Sequence, residues 1–188
     1  MFTGIVEELG QVIKLQRVGR NNLLELTADK VCEDAKIGDS IAVNGACLTL
    51  VKHCKHVLSF EVMPQTFQAT NLINLKIKHK VNLERSLKAG DRVNGHFVYG
   101  HVDCVGVVRR KTFIQGNLCF EISIPVKFMP KIVLRGSVAV DGISLTVQNK
   151  KSSTFSVYII PHTLKNTTLE YKGPSGRVNI ELDKLNNL

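Results

Sequence analysis

Ala42-Val43-Asn44-Gly45-Ala46-Cys47-Leu48-Thr49 returns later in the chain as Ala139-Val140-Asp141-Gly142-Ile143-Ser144-Leu145-Thr146, an offset of 97 residues. The same offset carries Pro64-Gln65-Thr66 onto Pro161-His162-Thr163, Thr70 onto Thr167 and Leu72 onto Leu169. It also carries Val81-Asn82-Leu83-Glu84 onto Val178-Asn179-Ile180-Glu181. Near the start the register slips by one, so that Gly4, Val6, Gly10 and Val12 match Gly100, Val102, Gly106 and Val108. A register held over so much chain marks an internal duplication. The copies run over 1–86 and 97–185, with 86–95 as the connection, and the expected domains are 1–96 and 97–188.

Each copy reads as β structure. Phe120, Ile122 and Ile124 alternate with Glu121 and Ser123, and Val178 and Ile180 alternate with Arg177, Asn179 and Glu181. A period of two describes a strand with one face buried. Asn44-Gly45 and Asp141-Gly142 sit between apolar flanks and cue hairpins, because both residues tolerate positive φ. Pro64 and Pro161 suit the starts of short helices. Further short helices are expected over 30–35 and 127–129. About six strands in each copy close most economically into a barrel without exposed edges. The fold class is therefore all-β: two tandem, similar six-stranded Greek-key β-barrels with short helices.

Composition narrows the function. Hydrophobic residues are 44% of the 188 and charged residues 22%, an ordinary globular balance. No apolar run is long enough to span a membrane. The acidic start Met1-Phe2-Thr3-Gly4-Ile5-Val6-Glu7-Glu8 does not resemble a signal peptide, which points to the cytoplasm. Cys32, Cys47, Cys54, Cys104 and Cys119 form no CxxC pair and stand at no zinc spacing beside the histidines, so no metal and reduced thiols are expected. The net charge of +9 is scattered, and aromatics are 6% with no tryptophan, which argues against a nucleic-acid binder.

Two copies of a domain can hold two copies of one ligand. Thr49 and Thr146, Thr66 and Thr163, and Gly4 and Gly100 are polar or small in both copies. Such residues serve where backbone approaches a ligand, or equally as turns and helix caps. The copies also differ. Cys47 stands where the other copy has Ser144, Phe2 matches Val98, and His96 and His101 have no counterpart in the first copy. Matched halves armed on one side would treat two identical ligands differently, as a disproportionation requires.

The ordered set Met1-Phe2-Thr3-Gly4-Ile5-Val6, Ala42 to Thr49, Met63-Pro64-Gln65-Thr66, Gly95-His96-Phe97-Val98-Tyr99-Gly100-His101-Val102-Asp103 and Asp141 to Thr146 resembles the riboflavin synthases of alpha-chain type, from residue 1 to about 183. The resemblance implies transfer of a four-carbon unit between two molecules of 6,7-dimethyl-8-ribityllumazine, two per site, giving riboflavin and 5-amino-6-ribitylamino-2,4-pyrimidinedione. It implies no cofactor, a homotrimer with sites between subunits, and an association with lumazine synthase. Tyr99 and Cys104-Val105 depart from the family's common residues. The segment 183–188 is shorter than the C-terminal helix by which longer members join their trimer.

The resemblance also implies site residues. In the first copy the ligand site is expected on Gly4, Ile5, Val6, Cys47, Leu48, Thr49, Glu61, Val62, Met63, Pro64, Gln65 and Thr66. In the second copy it is expected on Gly100, His101, Val102, Arg135, Ser144, Leu145, Thr146, Ile159, Ile160, Pro161, His162 and Thr163. His101 is the leading acid–base candidate and Cys47 a reactive residue, with His96 and Phe2 in support. The competing reading is a non-catalytic lumazine- or flavin-binding protein of the antenna type. The presence of Phe2, Cys47, His96 and His101 together favours the enzyme.

Overall fold

The computed structural model describes residues 1–114 and 117–185. Strands β1 (Glu8–Val18), β2 (Asn21–Thr27), β3 (Ser40–Val43), β4 (Ala46–Cys54), β5 (Val57–Val62) and β6 (Lys80–Arg85) close a barrel in the order β1-β2-β5-β4-β3-β6. Strands β7 (Cys104–Ile114), β8 (Asn117–Ser123), β9 (Ser137–Val140), β10 (Ile143–Lys150), β11 (Thr154–Ile159) and β12 (Arg177–Leu182) close a second barrel of the same topology. All pairs are antiparallel. The irregularities repeat as well: β1 slips between Val12 and Lys14 and β7 between Val108 and Arg110. Each barrel encloses its own apolar core, with Phe60, Leu24 and Leu50 fully buried in one and Phe120, Phe155 and Ile122 in the other. Burial of each such side chain stabilises by about 1.5–3 kcal/mol.

The β3–β4 and β9–β10 hairpins turn as expected. Asn44 and Gly45 have φ of 46° and 76°, and Asp141 and Gly142 have 48° and 77°, which fits the right-handed strand twist. The two turns lie back to back between the barrels. A Cβ on Gly45 would stand 2.6 Å from the Gly142 nitrogen, so no side chain fits there.

Helices α1 (Pro64–Ala69) and α2 (Pro161–Lys165) begin with proline, whose missing N–H falls in the unpaired first turn. Thr66 and Thr163 lie inside them and cap nothing. Their carbonyls instead accept the hydroxyls of Thr70 and Thr167, each at 2.7 Å. A 3-10 turn covers Val126–Lys131, but 30–35 is not a helix. There the Glu8 carboxylate takes the N–H groups of Asp29 and Val31, and only turn bonds from Cys32 to Asp29 and Glu33 to Lys30 remain.

The alternation in β12 also proves incomplete. Asn179 and Glu181 are as buried as Val178 and Ile180, because the outer face of the strand is covered by the other barrel and by a crossing segment. The same holds for Asn82 and Glu84 in β6. These outward polar groups tie the halves together in a near-symmetric pattern. Asn82 Nδ2 donates to the Asp141 carbonyl and Asn179 Nδ2 to the Asn44 carbonyl, both at 2.8 Å. Thr168 N donates to Asn82 Oδ1 at 2.8 Å, and Asn71 N to Asn179 Oδ1 at 2.6 Å. Buried amides are tolerated because each finds partners.

Candidate active site

Two short arms, Phe2–Gly4 and Val98–Gly100 with their flanks, cross between the barrels. Phe2 and Val98 form an antiparallel bridge, with N–O distances of 2.7 and 3.0 Å, and pack with Ala42 and Ala139 in a small interbarrel cluster. A carboxylate at the end of each barrel's last strand grips an arm. Glu84 accepts from Thr3 N at 2.6 Å, Thr3 Oγ1 at 2.7 Å and Gly4 N at 3.1 Å. Glu181 accepts from the successive N–H groups of Tyr99, Gly100 and His101 at 2.6, 2.8 and 2.9 Å. Burial pushes both carboxyls above the usual range, against the hydrogen bonds that lower them.

The arm tips dock on the opposite barrel. The Gly4 carbonyl accepts from Ser144 N at 2.8 Å, and the Gly100 carbonyl from Cys47 N at 2.9 Å. Both glycines have positive φ, 76° and 79°. A Cβ on Gly4 would lie 2.6 Å from Ser144 Cβ, and one on Gly100 would lie 2.5 Å from Cys47 Cβ. Beyond the tips, Val6 packs on the C-terminal core and Val102 on the N-terminal core. The structure places the arms differently from their order along the chain. Gly4, Ile5 and Val6 go with Ser144 and the C-terminal barrel, and Gly100, His101 and Val102 go with Cys47 and the N-terminal barrel. An alignment pairs equivalent positions and does not show which copy a segment touches.

The exchange also redistributes the reactive groups. The N-terminal half holds half-buried Cys47 with the His101 arm, whose exposed ring stacks on Tyr99 at 6.4 Å between centroids. The C-terminal half holds Ser144 and His96, joined by a 2.7 Å hydrogen bond between Nδ1 and Oγ. Burial holds His96 below the usual histidine range, and Asp183 opposes this. Its Nε2 is buried and has no hydrogen-bond partner among the described residues. Each half thus carries one imidazole and one hydroxyl or thiol, rather than all the reactive groups lying on one side.

Around these groups the halves repeat. In the N-terminal half Leu50 of β4 pairs with Phe60 of β5, so Cys47–Thr49 runs beside Glu61-Val62 and the start of α1. Thr49, Glu61, Met63, Pro64 and Gln65 are exposed and Thr66 is half-buried. In the C-terminal half Thr146, Arg135, Ile160, Pro161 and His162 are exposed and Thr163 is half-buried. Leu48, Val62, Leu145 and Ile159 point into the cores, which leaves only their backbone for a ligand. Phe2 is fully buried and supports the arms from beneath. Arg135 adopts φ 64° where the first copy has Gly38 at 98°, and its N–H bonds the Val147 carbonyl as Gly38 does Leu50. Cys32, Cys104 and Cys119 are buried, and burial pushes the Cys104 thiol up to about 12.

In the sequence, Glu84 and Glu181 stand out only as markers of the repeat. Their signal was an acid kept at the same place in both copies, on a strand otherwise rich in apolar residues. Among the described residues no group of three or more His, Cys, Asp or Glu side chains could hold a metal, and no helix is long and apolar enough to cross a membrane.

The fold and paired half-sites define the class. The family model for the lumazine binding domain matches residues 3–86 and again 99–183. The riboflavin synthase of Bacillus subtilis is 39% identical over 98% of this chain and 86% of its own length. That of Actinobacillus pleuropneumoniae is 40% identical over 97% and 85%. That of Schizosaccharomyces pombe is 36% identical over 98% and 90%. The chain belongs to the riboflavin synthase family of enzymes, built from two lumazine binding domains. Its fold is shared with LumP, solved in complex with riboflavin (TM-score 0.90) and with 6,7-dimethyl-8-(1'-D-ribityl) lumazine (0.86), at 24% identity over 97% of this chain and 99% of that one.

Proposed function

We propose that the chain converts two molecules of 6,7-dimethyl-8-ribityllumazine into riboflavin and 5-amino-6-ribitylamino-2,4-pyrimidinedione, with one lumazine on the N-terminal barrel beside the Gly100–Val102 arm and one on the C-terminal barrel beside the Gly4–Val6 arm. The observation that carries this reading is the pair of half-sites that match in backbone and differ in reactive groups. The products together contain the atoms of the two substrates, so the reaction needs no external oxidant or cofactor. The lumazine C7 methyl is acidic because its anion delocalises into the ring, and a base poised near neutrality suffices to ionise it. His101 is exposed on its arm and fits that role. The second lumazine accepts a nucleophile at C7, either Cys47 or the hydroxyl of Ser144 polarised by His96. Exposed backbone along Thr49, Thr146 and the turns before α1 and α2 supplies donors and acceptors for the pyrimidinedione edges.

Both half-sites are open surfaces on one chain, flanked by exposed Ile5, Met63, Phe97 and Ile160. This supports an assembly, a homotrimer by family resemblance, in which the N-terminal half of one chain faces the C-terminal half of the next. Stacking the two lumazines there turns a bimolecular reaction into an oriented one, worth about 7–11 kcal/mol where the alignment is good. The test is to incubate the protein with the lumazine alone and follow absorbance. Riboflavin appearing at half the rate of lumazine loss supports the reading. Binding without turnover sinks it in favour of a non-catalytic lumazine- or flavin-binding protein.

A further inference from the structure

Beyond the half-sites, a large cleft lies between the barrels, beside the back-to-back hairpin turns. It encloses about 660 Å³, within the range of small-molecule pockets. It shares no lining residue with the candidate active site. Both barrels build it from equivalent positions: Asn71 answers Thr168, Lys80 answers Arg177, and Lys78 answers Ser175, each at the offset of 97.

Its charge is one-sided. Lys78, Lys80, Lys172 and Arg177 line it together with His79, and no carboxylate does. The acid paired with Lys172, Asp141, is fully buried behind it, and the Lys172 Nζ stands 3.4 Å from Oδ2 and donates to the Arg177 carbonyl at 2.7 Å. Lys172 is thus engaged internally, whereas the side chains of Lys78, Lys80 and Arg177 have no carboxylate partner among the described residues. Cations held in a concavity without counter-charge focus a field that draws anions. By contrast, the cleft beneath the first arm, about 400 Å³, mixes Arg85, Lys88 and Arg92 with Glu7, Glu84 and Asp91 and is internally neutralised.

A second observation points to a ligand. Thr168 lines the cleft at 3% exposure, and its Oγ1 has no hydrogen-bond partner among the described residues. A buried hydroxyl left unpaired is costly, about 1–3 kcal/mol, and asks for an occupant able to bond it. Leu75 and Tyr171 add apolar surface, the Tyr171 ring standing exposed at 64%, and Asn71 and Asn74 bring amides.

We propose that this interbarrel cleft is a second binding site, for a phosphate-bearing small molecule of nucleotide size, with Lys80 and Arg177 holding the phosphate and Tyr171 and Leu75 its ring. The site is separate from lumazine conversion, and its occupant bridges the two barrels. Titration calorimetry with ADP, adenosine and inorganic phosphate tests it on the native sequence and on the Lys80→Ala/Arg177→Ala double variant. Both substitutions lie at exposed strand starts, where side-chain changes cost within about 0.5 kcal/mol, so the variant folds. The expected result is ADP binding that weakens roughly tenfold between about 50 and about 300 mM salt and roughly tenfold again in the variant, with adenosine and phosphate each far weaker. No heat with ADP at millimolar concentration overturns the proposal. So does equal affinity in the variant, or adenosine binding as tightly as ADP.

Discussion

The two halves of the molecule have the same backbone and different chemistry. Each presents a hairpin strand, a proline-started helix and a borrowed arm. In the N-terminal half the borrowed arm docks Gly100, next to His101, on Cys47, while in the C-terminal half it docks Gly4 on Ser144 and His96 bonds the Ser144 hydroxyl. Duplication supplies two near-identical cradles, and a few side chains set them apart: Cys47 and His101 on one, Ser144 and His96 on the other. The backbone grips are closely conserved between the halves, Glu84 matching Glu181 and Gly4 matching Gly100, so geometry is held constant while reactivity diverges.

The sharpest way to break the comparison is to disarm one half at a time. His101→Gln is expected to lower kcat about a hundredfold or more, the scale of a lost acid–base group. Cys47→Ala and His96→Gln are expected to cost less individually, because Ser144 and solvent can serve in part. Steady-state rates with the lumazine alone check the order, and an unchanged rate in His101→Gln removes its role.

Next come the arm tips. Gly100→Ala and Gly4→Ala each place a Cβ within 2.6 Å of the facing Cβ at positive φ. Each should destabilise by about 2–4 kcal/mol, by nearly equal amounts if the halves are equivalent. Chemical denaturation measures both. A tolerant Gly100→Ala would show that its arm docks more loosely than the structure has it.

Glu181→Gln is milder in stability and sharper in function. An amide offers one acceptor oxygen to three donors that now share two, and it adds N–H groups where donors already point, at a cost of about 1–3 kcal/mol. Because Glu181 holds His101 N, kcat should fall more than KM rises, whereas Glu84→Gln should act through the other half. The pH dependence follows from the direction of the shifts. Glu84 and Glu181 are raised above 4.5, so the folded state keeps their protons longer than the unfolded chain. Their contribution is therefore most favourable below 4.5 and is lost as pH rises through the raised folded values. Glu7 behaves in the opposite sense. Burial raises it, but the hydrogen bonds and charge of Arg85 prevail and lower it, so its contribution is lost as pH falls. A melting-temperature profile above pH 4.5 should be flatter in Glu181→Gln than in the native chain.

The smallest effect is expected for Asp141→Asn, which copies Asn44 into the second half. Oδ1 keeps its bonds from Asn179 N and Asn71 Nδ2, both at 2.7 Å, and only the buried charge facing Lys172 is removed. Burial raises that carboxyl, so its desolvation offsets part of the pairing, and with an amide N–H turned toward the Lys172 ammonium instead the stability should fall by about 1 kcal/mol.

Much of this was legible in the sequence because the repeat prints it twice. Asn44-Gly45 and Asp141-Gly142 cue both hairpins, and the alternation at Phe120, Ile122 and Ile124 together with the repeat points to the barrels. The polar residues of β12 misled, since alternation assumes that the outer face meets water and here it meets the other barrel. The arm exchange was illegible for a different reason. Whether Gly100 touches its own barrel or its twin depends on a chain crossing that no local pattern encodes. Segment 30–35 is not a helix because it closes only two short turns, Cys32 N to the Asp29 carbonyl and Glu33 N to the Lys30 carbonyl, and none propagates further.

The central claim is that Cys47 works with His101 and Ser144 with His96. Two chains carrying different tags, Cys47→Ala/His101→Gln and Ser144→Ala/His96→Gln, are each expected to be inactive alone. Coexpressed and isolated as mixed oligomers, they should regain riboflavin formation, because one intact half of each kind is then present. The crossed pair, Cys47→Ala/His96→Gln with Ser144→Ala/His101→Gln, has no intact half and should stay inactive. Recovery in the crossed pair and not in the first would contradict the exchanged-arm account.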